Sequence, residues 1–137
     1  MTTTYSTNDL AFELPGEEWR DHSLSAAIAP DGSVSCFVSR DVGTDPETSM
    51  QSLVELVTEG AQELSIEGRR TSKLGPLECE EARVMSREND EWLYCRVAAA
   101  KYYDQTFALA VYGQQSMRDA VDLQMDRIQR EIRFRRR

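Results

Sequence analysis

At 137 residues the chain has the length of one domain, since two cores of half that size would each be marginal. Its 40% hydrophobic and 29% charged residues are usual for a globular protein and exclude wholesale disorder. Sixteen Lys and Arg against 24 Asp and Glu leave a net charge of −8, which speaks against a general binder of nucleic acid or anionic membrane. The charge is uneven: six arginines and one glutamate put residues 127–137 at +5, so residues 1–126 carry −13.

Leu10–Leu14, closed by Pro15-Gly16, is the first expected strand. Ser23–Ile28 and Ser33–Arg40 follow, and Pro30-Asp31-Gly32 between them predicts a β-hairpin. Asp45-Pro46-Glu47-Thr48-Ser49 then offers cap residues and an early acid. Met50, Leu53, Val54, Val57, Ala61 and Leu64 recur at helical spacing with Gly68 beyond, which predicts an amphipathic helix over that span. Arg69–Leu74, Leu77–Arg87, Glu91–Ala100 and Thr106–Tyr112 read as an antiparallel meander, with turns at Gly75-Pro76, Glu88-Asn89-Asp90 and Tyr103-Asp104-Gln105. A last helix is expected from Ser116 as its cap, with Ala120, Val121, Met125, Ile128 and Ile132 as its apolar stripe. Strands interleaved with two helices and joined by tight hairpins make an α+β fold with an antiparallel sheet.

Side chains alternate along a strand, so each expected strand has two faces. Leu93, Cys95, Val97 and Ala99, matched with Phe107, Leu109 and Val111, suit packing against helices. The other set is Trp92, Tyr94, Arg96, Ala98 and Ala100 with Thr106, Ala108, Ala110 and Tyr112, small in the middle and aromatic at its ends. The first hairpin likewise separates Val34, Cys36 and Val38 from Ser33, Ser35, Phe37 and Ser39. A face paved with Ser and Ala is either a solvent face poor in charge or a shallow groove for an apolar partner segment, since small residues and hydroxyls admit close helix packing.

Chemistry-bearing patterns are scarce. His22 is the only histidine, and the seven glycines form neither a dinucleotide fingerprint nor a P-loop. Glu78, Glu80 and Glu81 form an acidic run that reads as solvated surface rather than an acid–base pair. No catalytic residues, metal ligands or cofactor are expected. Cys36, Cys79 and Cys95 lack a C-x-x-C spacing and read as buried free thiols in a reducing cytosol. The start shows no signal-peptide pattern and no cysteine to lipidate, and no apolar run approaches the ~18 residues of a membrane span. A cytoplasmic location is the expectation.

Three segments carry a likeness: Phe12-Glu13-Leu14-Pro15, Trp19-Arg20-Asp21-His22-Ser23, and Phe37-Val38-Ser39-Arg40-Asp41 leading into a helix. With them the chain resembles the DcrB-related (PsbP-like) family, and within it the Eag-type effector-associated chaperones of the bacterial type VI secretion system. The likeness covers essentially all of residues 1–137, read as a single DcrB-related domain. It implies a curved antiparallel β-sheet with two helices packed on one face. It also implies a cytosolic homodimeric chaperone that works without a cofactor, inserts in no membrane and binds no nucleic acid. The implied partner is the set of N-terminal transmembrane helices of a PAAR-bearing effector, shielded from water until the effector is loaded on the secretion spike. By position, the residues such families use on the first hairpin fall on Leu24, Ala26 and Phe37, with Ile28, Ser35 and Ser39 adjoining. Tyr94, Arg96, Ala98, Ala108 and Ala110 of the small-residue face complete the expected client site. Ala26 departs from the pattern, which commonly has a bulkier residue there. The alternatives are a small-ligand-binding or enzymatic α+β domain using the same sheet-face cavity, lined by Trp92, Tyr94, Arg96 and Tyr112 with Arg96 holding an anion, and a plain oligomerisation domain.

Overall fold

Four long strands joined by two-residue turns build the centre of the fold: β6 (Glu63–Leu74), β7 (Leu77–Glu88), β8 (Glu91–Tyr102) and β9 (Gln105–Gln114). The computed structural model describes residues 4–6, 10–13, 20–23, 26–28, 34–42 and 44–134, with side chains for 34–40 and 44–134. The turns are chemically fitted to their geometry. Gly75 has φ +60, and Asn89 and Asp90 have φ 52 and 64, the pair of left-handed residues that a tight hairpin with the right twist requires. Tyr103, at φ 58, does the same for the β8–β9 turn, where a non-glycine residue accepts the strain.

The expected first hairpin forms as β4 (Ala26–Ile28) against β5 (Val34–Val42), with Ala26 opposite Phe37 and Ile28 opposite Ser35. The run Ser23–Ile28 is not one strand: β3 (Arg20–Ser23) ends within it and folds back on β4. The Pro15-Gly16 and Pro30-Asp31-Gly32 turns lie outside the described residues. Two further strands, β1 (Thr4–Ser6) and β2 (Leu10–Glu13), join β10 (Arg133–Phe134) in a small separate sheet. Among the described residues the main sheet has seven strands in the order β3-β4-β5-β9-β8-β7-β6, antiparallel throughout. The architecture is α+β, an antiparallel sheet with two helices.

α1 (Pro46–Val57) carries the chain from β5 across the sheet to β6 at the far edge. Asp45 caps it, its carboxylate accepting from the Thr48 amide at 2.8 Å, and Pro46 occupies the first turn, where no amide partner is lost. The helix stops seven residues short of Leu64. Thr58 turns its hydroxyl onto the Val54 carbonyl at 2.6 Å, Gly60 follows at φ +84, and from Glu63 the apolar period drops from helical to two. Leu64 fits both periods, which is why the sequence pattern overruns. α2 (Arg118–Glu131) follows a 3-10 turn over Gln115–Met117. Ser116 lies inside that turn and does not cap; Met117 holds the cap position without a side-chain bond.

The two helices do not share a face. Met50 and Leu53 of α1 pack on Ala82, Val84, Cys95, Val97, Ala99, Ala108 and Ala110. Val121, Met125 and Ile128 of α2, with Ile132 just past its end, pack on Cys36, Met85, Tyr94, Ala98, Phe107, Leu109 and Val111 from the opposite side. The cause is register. The two-residue turn after Tyr102 sets Ala98 opposite Leu109 and Arg96 opposite Val111, one residue away from the matching expected from the sequence. A one-residue slip exchanges every side chain between faces, so both faces of β8 and β9 are apolar and each receives a helix.

Candidate binding groove

The alanine paving is mostly occupied by the chain itself. Ala108 and Ala110 are fully buried beneath α1. With Ala82 and Ala99 they let the helix sit close enough for Met50 and Leu53 to be 2% and 3% exposed, each burial contributing about 1.5–3 kcal/mol. Ala98 is buried on the other face. These alanines are therefore floor, and the expectation of one continuous small-residue client face is corrected by the β8–β9 register.

What remains open lies beside α1. The helix covers β7, β8 and β9 and borders β5, while the sheet continues past it through β5 to β4 and β3. Among the described residues no helix lies over that continuation. Its side chains on the α1 face are Ser35, Phe37 and Ser39 of β5, all half-buried. Phe37 stacks on Tyr112 of β9 with ring centroids 5.9 Å apart and planes 1° from parallel. Burial raises the Tyr112 pKa, and a side-chain hydrogen bond with Ser35 works against that rise. The phenol is thus neutral and held. Leu56, 55% exposed, lies about 180° around α1 from Glu47 at ~100° per residue. Glu47 binds Arg69 of β6 at 3.0 Å, so Leu56 leans to the β5 flank. The strip combines an aromatic wall, a leucine rim and hydroxyls on an extended backbone.

The expected site residues thus divide three ways. Ser35, Phe37, Ser39, Ala108 and Ala110 share the α1 face, with Ala26 and Ile28 in register beside them on β4. Tyr94, Arg96 and Ala98 point to the opposite face and leave the site. Leu24 lies outside the described residues. The ligand pocket of Trp92, Tyr94, Arg96 and Tyr112 does not form, because Tyr112 faces α1 and the others face α2.

Arg96 has other work. Its side chain is 1% exposed, with Nε 2.8 Å from Glu81 Oε1 and a terminal nitrogen 2.7 Å from Asp126 Oδ1. Gln129 joins by accepting from Arg96 at 3.2 Å and donating to Glu81 at 3.3 Å, and Arg70 donates to Glu81 at 3.3 Å. Asp122 accepts from Tyr94 at 2.7 Å, and Arg118 stacks 4.3 Å over the Tyr94 ring. Burial alone would raise the Glu81 pKa; the hydrogen bonds and charge of Arg96, with Gln129 and Arg70, bring it below the usual carboxylate value. This network clamps α2 to the sheet and leaves Arg96 no free donor fork for an anion. In the acidic run only Glu81 is buried; Glu78 and Glu80 are exposed. Sequence spacing marks the run but not the arginine across the sheet that separates them.

The three cysteines are free and buried. Burial pushes Cys36 and Cys95 up to about 12 and Cys79 to about 11, so none is a thiolate nucleophile at neutral pH. Of the basic tail, Arg127 pairs with Glu131 at 3.5 Å and Arg133 donates to the Glu131 and Ile132 carbonyls at 2.9 and 3.2 Å, completing the end of α2. Arg135, Arg136 and Arg137 lie outside the described residues. Among the described residues no cluster of His, Cys, Asp and Glu is placed to hold a metal ion, and no helix is long and apolar enough to cross a membrane.

No protein-family model matches the chain, and no curated protein matches it in sequence. Solved structures do match in fold. LpqN of Mycobacterium tuberculosis, involved in cell envelope biogenesis, is 10% identical with a TM-score of 0.67 over 99% of this chain and 91% of its own. The cyanobacterial PsbP (CyanoP) of Synechocystis sp. PCC 6803 is 11% identical with a TM-score of 0.66, covering 97% and 92%. The Ran-binding protein Mog1p of Saccharomyces cerevisiae is 13% identical with a TM-score of 0.63, covering 90% and 89%. The chain has the PsbP/Mog1-like fold.

Proposed function

We propose that this chain is a cytoplasmic chaperone that holds the N-terminal transmembrane helices of a type VI secretion effector until the effector is loaded on the spike. The observation that supports it is the strip beside α1: the Phe37–Tyr112 stack, Ser35, Ser39 and Leu56, on a sheet face that α1 only partly covers. The motif resemblance supplies the client class, and the PsbP-like fold agrees with the coarser part of that resemblance.

The chemistry is non-covalent. A free helix of ~20 apolar residues exposed to water aggregates, and covering it removes apolar area at about 25 cal/mol per Å². Ser35 and Ser39 give the client's polar atoms partners, and the extended β5 backbone admits close approach. The acidic body disperses a complex that would otherwise carry sticky cargo. Ala108 and Ala110 enter this reading indirectly, by seating α1 so that Leu56 borders the strip.

The test is co-expression of the full chain with an N-terminal effector fragment that contains the apolar helices. The wild type is expected to co-purify with the fragment and keep it in solution. Phe37→Asp is expected to lose it while retaining its circular dichroism and oligomeric state. Equal recovery by a folded Phe37→Asp chain refutes the strip as the binding site.

A further inference from the structure

The sheet face under α1 continues past the helix on its other side as well, and that flank is also apolar. β6 is the edge strand there. Its Leu64 and Ile66 stand opposite Ser86 and Val84 of β7, and Val84 packs under α1, so both point to the α1 face. They are 54% and 53% exposed. From the helix, half-buried Val54 faces the same flank: it lies about two turns from Glu47, which bonds Arg69 of β6 at 3.0 Å. That ion pair closes one end of the patch, and Thr71 and Lys73 beyond it are polar.

The spacing of the sheet says what fits. α1 lies mainly over β8 and β9. Neighbouring strands are ~4.8 Å apart and packed helix axes about 8–10 Å apart, so a helix beside α1 sits two strands over. On one side that is the border of β5 and β4, where Phe37 and Ser35 lie. On the other it is the border of β7 and β6, where Leu64 and Ile66 lie. Those two side chains stand ~7 Å apart along the strand, close to the ~6 Å between residues four apart on a helix. A strand added at the β6 edge would lie in the plane of the sheet and leave both side chains uncovered from above. α1 is built as the middle member of such a layer: Gln51, Ser52 and Glu55 make its outer ridge polar and exposed, while Leu56 and Val54 border the two slots.

We infer that the β6 flank is a second helix-docking strip, so that one chain holds two apolar helices of a client, one on either side of α1. The class of occupant comes from the chaperone function proposed above; its place comes from the spacing and the exposed pair. Two linked helices bind with the avidity of both strips, which is why Phe37→Asp alone is expected to release a client carrying both.

Stoichiometry with single helices separates the strips. The probe is a labelled leucine–alanine helix of ~20 residues with lysine at each end, mixed in excess with the full chain and followed by sedimentation velocity. Two peptides per chain are expected. Ile66→Asp, at an exposed position, and Phe37→Asp add the same charge, and each is expected to bind one peptide with unchanged circular dichroism, the double variant none. One peptide per chain that Phe37→Asp removes and Ile66→Asp leaves overturns the second strip while the chaperone function stands; no peptide at all overturns both. Two peptides that Ile66→Asp leaves in place also overturn it. So does a flank covered by a second copy, seen as a wild-type mass that Ile66→Asp halves with one peptide per chain.

Discussion

Replacing Arg96 with methionine is the sharpest perturbation of the fold. The guanidinium is 1% exposed and holds Glu81, itself 1% exposed, through two nitrogens at 2.8 and 2.5 Å. Methionine fills similar volume, so the loss is electrostatic rather than a cavity. Glu81 keeps Arg70 at 3.3 Å and Gln129 at 3.3 Å but loses its strongest partner, and Asp126 loses its bond across to the sheet. Breaking a buried pair by removing one member costs about 3–5 kcal/mol, against a total stability of about 5–15 kcal/mol for a domain. Urea unfolding followed by far-ultraviolet circular dichroism reads this as a lower midpoint at unchanged slope. Arg96→Met with Glu81→Leu is expected to recover most of the loss, because no charge is then left buried alone. A single mutant within about 1 kcal/mol of the wild type, the range of an exposed ion pair, would show that the network does not clamp α2.

Three further outcomes follow from the same side chains. The Glu81 pKa is depressed in the folded chain, so its contribution is present above the ordinary carboxylate pKa and is lost as pH falls through the lower folded value; Glu81→Gln should flatten the acid limb of stability against pH, checked by thermal melts across that range. With Cys36, Cys95 and Cys79 raised to about 12, 12 and 11 and buried, a thiol reagent at mildly alkaline pH should label no cysteine in the native chain and three in denaturant. Gly75→Ala should cost about 1–3 kcal/mol by chemical denaturation, because φ is +60 and the added methyl would sit 2.6 Å from the Ile132 carbonyl oxygen; the same turn donates the Gly75 amide to the Gln129 carbonyl at 2.7 Å.

The elements of this fold are legible from local pattern because local chemistry makes them. Asn89-Asp90, Gly75 and the Asp45-Pro46 cap act within a few residues, and each appears where the sequence puts it. What is not legible is set across the sheet. The face that Ala98 or Ala108 occupies depends on the β8–β9 register, and a β-strand reads the same from either side until its partner is known. The overrun of α1 to Leu64 has the same root, since a leucine two before Ile66 and seven after Val57 satisfies both periods. Arg96 shows the limit most plainly: among small apolar neighbours it reads as a ligand-holding charge, and only the approach of α2 with Asp122, Asp126 and Gln129 makes it structural. Phe37 and Ser35 keep the place that the hairpin pattern gives them because the β4–β5 pairing is short-range.

The claim that the strip beside α1 receives an apolar helix is tested most directly by site-specific photo-cross-linking. A photoreactive phenylalanine analogue placed at Phe37, and separately at Leu123 on the exposed side of α2, is irradiated in the full chain co-expressed with the effector's N-terminal fragment. A cross-link from position 37 into an apolar helix of the fragment is expected, and none from position 123. A fragment that co-purifies yet links through position 123 and not through 37 would contradict the claim.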